Sequence, residues 1–487
     1  VGFLLIDGKV AMFEESAAHD SEGLYALVRL IAPMAREGLG DSPGGSSTRP
    51  LWPLHTVCDQ LAYRVSYSKV ICMVGIFPPE RIVMNRCLKS VCIYCWLVTI
   101  ALVVSAQGST PATARFTGPW NLDELNKVPS ATWGEKTNNV QQVYYQGEPV
   151  DGKPTRVFAY YACPAESDGP VPGMVLVHGG GGTAFAEWAT LWAERGYAAL
   201  AMDLGGCGPN KERMADGMPA QGHPEKFLLF ENEEEARRLW TYHAVAAVIR
   251  GHSLLASREE VDATRTGLTG ISWGGYLTCI VAGVDDRFKV AAPVYGCGFL
   301  HENSCWLGQF AQLGPEQTKR WVAYYDPSRY LPGVRCPILF LNGTNDFAYP
   351  LDSYQKSYRA VPGPVDLHIE VRMPHGHPQG WAPREIGLYV DSVLLGGDPL
   401  PKLGPLKIDA GHATATFQCK VPVTQGQLHY TTDGGEWQTR EWKTVDAKLT
   451  DGKVFAELPQ RRPLVFYLSV TDDRGAMIST EHAELPQ

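Results

Sequence analysis

From about Thr155 to Leu395, short apolar runs alternate with stretches of helical period. The runs "RVFAYYA", "GMVLVHG", "AALAMDL", "TGLTGIS", "KVAAPVYG", "PILFLNG" and "DLHIEVRM" are apolar almost throughout, as strands covered on both faces must be. Between the second and third, Phe185, Trp188 and Trp192 fall at i, i+3 and i+7, and Gly196 follows where a helix C-cap belongs. Glu233 to Ser257 reads as one long helix rich in alanine and leucine. Strands alternating with helices predict an α/β architecture, a mostly parallel sheet flanked by helices, over residues 155–396.

The period changes after the Gly/Pro-rich stretch "LLGGDPLPKLGP", which marks a linker over residues 397–403. Beyond it Ala413, Ala415, Phe417, Cys419 and Val421 alternate with polar residues, and Leu464, Phe466, Leu468 and Val470 do the same. With the turn signals "TDGG" and "DDRG", this predicts a small C-terminal all-β sandwich, Ig-like, over residues 404–487. Residues 107–154 form an N-terminal lead-in segment. Residues 1–83 hold neither period for long.

Met84 opens "MNRCLKSVCIYCWLVTIALVVSAQG": Arg86 and Lys89, then an apolar run from Val91 to Val104, then the small-residue site Val104-Ser105-Ala106. This is the design of a secretory signal peptide over residues 84–106, and the run is shorter than the ~20 residues needed to span hydrocarbon. A signal peptide is read at an N-terminus, so translation is expected to begin at Met84, with residues 1–83 an untranslated or non-native upstream extension. The mature protein then begins near Gln107 and is exported, periplasmic or extracellular, with no stable membrane span. A genuine extension ahead of an internal anchor is the alternative.

Composition adds little to class but excludes some partners. A chain of 487 residues with 45% apolar and 20% charged residues has room for two folded domains, and a net charge of -9 with no basic cluster argues against nucleic acid. After the expected cleavage the cysteines are Cys163, Cys207, Cys279, Cys297, Cys305, Cys336 and Cys419, none in a metal-binding spacing; Cys297 and Cys305 flank one loop and could pair.

Gly270-Ile271-Ser272-Trp273-Gly274 fits the pattern in which a sharp strand-to-helix turn thrusts a serine above a sheet, and here it sits between an apolar strand and a helical run. A serine hydroxyl needs a base, and the base an orienting acid, in the order serine, acid, histidine. "PILFLNGTNDFAYP" offers Asp346, and "RMPHGHPQGW" offers His375 and His377. His377 is the preferred base because Gly376 lets the backbone turn tightly before it, with His375 as the alternative base. A metal on the two histidines would need further ligands that the sequence does not offer.

"VLVHGGGGTAF" places Gly179 to Gly182 after a strand, so a backbone N–H of Gly180 or Gly181, with that of Trp273, is expected to form an oxyanion hole. Tyr295, Trp306 and Trp381 are candidate walls of the substrate pocket, and Asp203 reads as structural. None of this chemistry needs a cofactor or a metal.

With these segments quoted, "VLVHGGGGTAF", "GYAALAMDLGG", "EEVDATRTGLTGISWGGYLT" and "LFLNGTNDFAYP" together resemble secreted bacterial α/β-hydrolases of the dienelactone-hydrolase-like and acetyl xylan esterase-like type, related to prolyl-oligopeptidase catalytic domains. The likeness covers roughly residues 120 to 400 and implies the α/β-hydrolase fold, with Ser272 as nucleophile, Asp346 as acid and a histidine of "PHGHPQ" as base. Dienelactone hydrolases use a cysteine where this chain has Ser272, and dipeptidyl-peptidase relatives carry a propeller for which the lead-in has no room. The expected function is therefore an exported serine esterase acting through an acyl-enzyme on a small-molecule or carbohydrate ester, with deacetylation of carbohydrate one form of it. A serine peptidase acting on short peptides is the alternative. A catalytically silent glycan-binding protein, with Trp437 and Trp442 as a sugar platform, is a second one.

Overall fold

In the computed structural model, residues 115–222 and 226–486 are described, together with the backbone of a separate hairpin in which Gly2–Ile6 pairs antiparallel with Lys9–Phe13. The proposed leader at residues 84–106 lies outside the described residues. Among the described residues no helix is long and apolar enough to cross a membrane.

The apolar runs become the strands of one sheet. Its order is built from β1 (Ala131–Thr137), β2 (Val140–Gln146), β3 (Arg156–Ala162), β4 (Val171–Val177), β5 (Ala198–Met202), β6 (Val261–Ile271), β7 (Val290–Val294), β8 (Ile338–Gly343) and β9 (Val365–Glu370). Across the sheet they run β1-β2-β3-β5-β4-β6-β7-β8-β9, parallel from β5 to β9 and antiparallel at the β1–β2–β3 end. Every residue of β4, β5, β7 and β8 is buried, which is why these strands read as unbroken apolar runs. Residues of the lead-in segment thus supply β1 and β2, which extend the sheet.

Helices cover the faces: α1 (Ala186–Glu194), α2 (Trp240–Ala256), α3 (Trp273–Val284), α4 (Leu307–Tyr325), α5 (Leu351–Arg359), α6 (His377–Trp381) and α7 (Arg384–Leu394). The single helix expected over Glu233 to Ser257 is two: a short turn at Glu233–Ala236, capped by the Asn232 side chain, then α2. Leu239 breaks them with an extended backbone, and Trp240 donates its indole N–H to Leu204 O at 2.6 Å, an anchor that fixes where α2 begins.

The C-terminal residues form strands as expected, but not as a module hung on a linker. In β10 (His412–Gln418), β11 (Val423–Thr431), β12 (Lys443–Asp446), β13 (Lys453–Glu457), β14 (Leu464–Asp472) and β15 (Met477–Ser479), β10 and β13 belong to a 5-stranded sheet. The others, in the order β12-β11-β14-β15, join β9 and continue the central sheet. The join is antiparallel, with Leu367 opposite Ser479, and the Ser479 hydroxyl accepts from Ile369 N at 3.0 Å and donates to Leu367 O at 3.2 Å. Lys402–Leu403, within the expected linker, is already a strand paired with β10. A linker reading followed from Gly and Pro content, and the ladder bonds to β10 override it.

Candidate active site

The carboxyl ends of β4, β6, β8 and β9 bring the candidate residues to one cavity of about 330 Å³, lined among others by Gly180, Ser272, Trp273, Trp306, Phe347 and His375. Ser272 sits between β6 and α3 with φ 58° and ψ -119°, a conformation that a non-glycine residue holds only under constraint from its surroundings. Its N–H donates to Val294 O at 2.8 Å, and its C=O accepts the first helical bond of α3, from Tyr276 N at 2.9 Å. The turn requires glycine nearby. A methyl group on Gly274 would lie 1.9 Å from Val177 O, so α3 packs against β4 only because position 274 carries no side chain.

Asp346 divides its carboxylate between two tasks. Oδ1 accepts from Ala348 N at 2.9 Å and Tyr349 N at 2.8 Å, which fixes the turn after β8. Oδ2 meets His375 Nδ1 at 2.6 Å, with the Asp346 side chain fully buried. An imidazole that donates from Nδ1 to a carboxylate presents Nε2 as an acceptor. The His375 ring is further held between Tyr295, stacked at 4.4 Å, and Phe347 at 4.7 Å.

The expectation that His377 pairs with Asp346 is therefore corrected: Asp346 meets His375. His377 begins α6, and its Nε2 accepts the N–H of Gly179 at 3.0 Å. The tight turn expected at Gly376 is not formed: its backbone is extended, with φ -172° and ψ 164°, and the His377 ring reaches the glycine loop instead of Asp346. Burial, with His178 and His375 nearby adding to it, pushes the His377 imidazole down to about 4, which keeps it neutral and able to accept. With His375 bonded to Asp346 and His377 bonded to Gly179, the two rings are tied to separate loops, and both residues line the cavity.

The glycine loop is braced from below as well. His178 is buried, donates from Nδ1 to Gly179 O at 2.7 Å, and accepts from Leu204 N at Nε2 at 2.8 Å. Burial holds it down to about 4, in line with a neutral ring that must accept. A side chain on Gly182 would come within 2.6 Å of both His178 Nδ1 and His377 Nε2, so the loop folds over the two imidazoles only as glycine. Gly180 lines the cavity beside the Trp273 ring, whereas Gly181 does not line it. Of the expected oxyanion donors, Gly180 and Trp273 line the cavity, the latter at the first position of α3, where its N–H has no acceptor within the helix.

Asp203 accepts from Gly205 N at 3.0 Å, Cys207 N at 2.7 Å and Thr183 Oγ1 at 3.1 Å, so it ties the loop after β5 to the end of the glycine loop, a structural role.

Of the three candidate pocket walls, only Trp306 lines the cavity. Tyr295 is fully buried beneath His375 and donates its hydroxyl to Pro374 O at 2.7 Å. Trp381 is directed away, stacked on Trp188 at 5.3 Å and against Phe185 at 5.3 Å. Cys297 is buried and Cys305 exposed, both as free thiols, so the suggested pairing is absent. Trp437 and Trp442 are buried, and Arg440 covers the Trp437 ring at 3.7 Å, so neither offers a platform to a sugar.

Sequence reasoning passed over His178 and Asn345. His178 was legible as the residue between an apolar strand and the glycines. Nothing in the sequence marked Asn345: its amide donates to Trp437 O at 3.1 Å, Gln438 O at 3.2 Å and Arg440 O at 2.8 Å, partners some ninety residues away.

A mostly parallel sheet with a serine on a constrained strand-to-helix turn, and an acid–histidine pair on the following strand ends, defines an α/β-hydrolase. Comparison with known proteins narrows the relationship. Residues 120–304 match the acetyl xylan esterase (AXE1) family, and residues 230–380 match the prolyl oligopeptidase family. The chain is 24% identical over 247 residues to acetyl esterase Axe7A of Xylanibacter ruminicola, an alignment spanning 47% of this chain and 55% of that protein. The chain thus spans about half the length of this curated relative. Among solved structures it is similar to an acetyl xylan esterase from Paenibacillus sp. R4 (24% identity, TM-score 0.47, 56% of this chain and 92% of that one). It is also similar to an acylaminoacyl peptidase of Pyrococcus horikoshii (20% identity, TM-score 0.39, 53% and 42%).

Proposed function

We propose that this chain is an exported serine esterase that removes small acyl groups, acetyl among them, from carbohydrate or other small esters. The observation that carries the reading is the Asp346–His375 pair, closed at 2.6 Å, in the same cavity as Ser272 on its constrained turn. In this mechanism His375 Nε2 takes the proton of the Ser272 hydroxyl as Oγ attacks the ester carbonyl. The N–H groups of Gly180 and Trp273 receive the oxyanion, and the alcohol leaves with the proton returned by His375. Water then repeats the sequence on the acyl-enzyme. Asp346 keeps the Nδ1 proton in place and balances the charge of the imidazolium. Export rests on the Met84–Ala106 pattern alone.

The match of residues 230–380 to the prolyl oligopeptidase family supports a second reading, hydrolysis of short peptides. A peptidase that anchors a chain terminus needs a charge at the site, and the cavity lining holds neither a carboxylate nor a lysine or arginine. That favours the ester. The test compares p-nitrophenyl acetate with aminoacyl-nitroanilides. Turnover of the acetate should dominate and fall by roughly 10⁴-fold or more in Ser272→Ala; anilide turnover equal to it, or a variant within tenfold of wild type, rejects the reading.

A further inference from the structure

Tyr295 stands among the strand ends that present Ser272, Asp346 and His375. It follows β7 directly, and its backbone φ is 59°, in the left-handed region that a bulky aromatic residue holds only under constraint from its surroundings. Val294, before it, accepts the N–H of Ser272 at 2.8 Å. Gly296, after it, packs so closely on α3 that a methyl group there would lie 2.0 Å from the carbonyl carbon of Gly275. The N–H of Tyr295 itself donates to Leu341 O at 2.9 Å, on β8, the strand that leads to Asp346. Backbone contacts thus tie Tyr295 to the serine turn and to the strand of the acid.

The side chain reaches the histidine. The Tyr295 ring stacks on the His375 imidazole at 4.4 Å and 23°, and its hydroxyl donates to Pro374 O, the carbonyl just before His375, at 2.7 Å. The other ring against His375, Phe347 at 4.7 Å, is 57% exposed, whereas Tyr295 is 0% exposed, so the fixed surface on which the imidazole lies is Tyr295. We propose that Tyr295 is a positioning residue for the hydrolysis: it sets His375 at its working distance from Ser272, because its backbone is fixed to the serine turn and its ring and hydroxyl to the histidine loop. The proposal rests on the serine esterase reading above. Asp346 holds the imidazole at Nδ1, but one hydrogen bond leaves the ring free to swing about it, and the Tyr295 face removes that swing. A misplacement of about 1 Å at a reacting group costs on the order of 10²-fold in rate, so a strained backbone at this position is kept for what its side chain holds.

The experiment uses the full chain with p-nitrophenyl acetate, and with a fluorophosphonate probe as a second readout. In the probe reaction Ser272 Oγ forms a bond to phosphorus, fluoride leaves, and the hydroxyl proton passes to His375. Tyr295→Phe removes the bond to Pro374 O and keeps the ring, whereas Tyr295→Leu removes both. Tyr145→Phe, on β2, loses an equally buried hydroxyl that donates to Ala247 O at 2.9 Å, and controls for the loss of a buried hydrogen bond. Per folded molecule, kcat should fall about tenfold in Tyr295→Phe and roughly 10²-fold or more in Tyr295→Leu, with KM within about twofold. The labelling rate should fall in the same order, and Tyr145→Phe should keep the wild-type kcat. If Tyr295→Leu does not fold, Tyr295→Phe carries the test by itself. A lower denaturant midpoint with kcat per folded molecule unchanged overturns the role, and a raised KM with kcat unchanged returns Tyr295 to the pocket wall expected from the sequence. Labelling that follows this order without acetate turnover in wild type rejects the esterase and not the positioning role; neither turnover nor labelling in wild type overturns both.

Discussion

The two banks of the cavity beside Ser272 are built by different principles. On one bank the glycine loop is held within the hydrolase region: His178 and Asp203, just past the ends of neighbouring strands, and His377, at the start of α6, clamp it through backbone groups of Gly179, Leu204, Gly205 and Cys207. On the other bank Asp346 and His375 are held from a distance. Arg372 N donates to Thr344 Oγ1, Thr344 Oγ1 donates to Asn345 Oδ1, and the Asn345 amide donates to the C-terminal loop at Trp437 to Arg440. The first bank could stand in a hydrolase without a C-terminal extension. The second could not keep these contacts, because its outer layer is the extension.

Breaking the histidines separates the banks most sharply. His375→Ala should cost several powers of ten in kcat, as loss of a general base does, whereas His377→Ala should cost roughly 10²-fold, the scale of a disturbed oxyanion donor, with KM little changed. His377→Gln, whose amide oxygen can accept from Gly179 N–H, should recover part of that loss. Steady-state kinetics on p-nitrophenyl acetate decides it, and the reverse order of the two alanine variants would return the base to His377.

Asn345→Ala tests the distant bank. Removing the amide frees three carbonyls of the C-terminal loop and the inner end of the Thr344 chain, and about tenfold in kcat is expected, through looser placement of Asp346. The split between kcat and KM distinguishes positioning from simple destabilisation: an acid less firmly held should lower kcat with KM little changed, whereas a purely structural loss would lower the denaturant midpoint and leave kcat per folded molecule in place.

The smallest effect is on stability. An unfolded imidazole titrates near 6.5, and in the fold His178 and His377 are held down to about 4. As pH falls below about 6.5 the unfolded chain takes up protons that the folded chain refuses, so stability declines from there toward pH 4 and is unaffected by these groups above about 7. Denaturant midpoints measured across that window should fall for wild type and fall less steeply for His377→Gln. A midpoint that holds steady to pH 4 in wild type would contradict it.

How much of this was legible in advance follows from the range of the interactions. The strands β4, β5, β7 and β8 announce themselves because every residue in them is buried. The serine turn is legible because close backbone packing at Gly274 admits only one residue. The candidate acid, Asp346, is legible because it follows closely on a buried strand. The choice between His375 and His377 was not: both lie in the same Gly-Pro turn, and what separates them is which of two loops each ring reaches across the sheet. The sheet's continuation into the C-terminal region was hidden for a similar reason, since β15 is only three residues long and carries no period of its own.

By itself the sequence determined the α/β-hydrolase architecture, the strand-rich C-terminal region, the nucleophile candidate and the acid candidate, because each depends on local period, burial or steric exclusion. The tertiary structure decided that His375 meets Asp346, that His377 clamps Gly179, that Gly180 rather than Gly181 faces the cavity, and that the C-terminal strands are built into the central sheet. These are contacts between residues far apart in the chain, and a hydrogen bond of about 3 Å is fixed by the packing of the layers that bring its partners together, which no local pattern records.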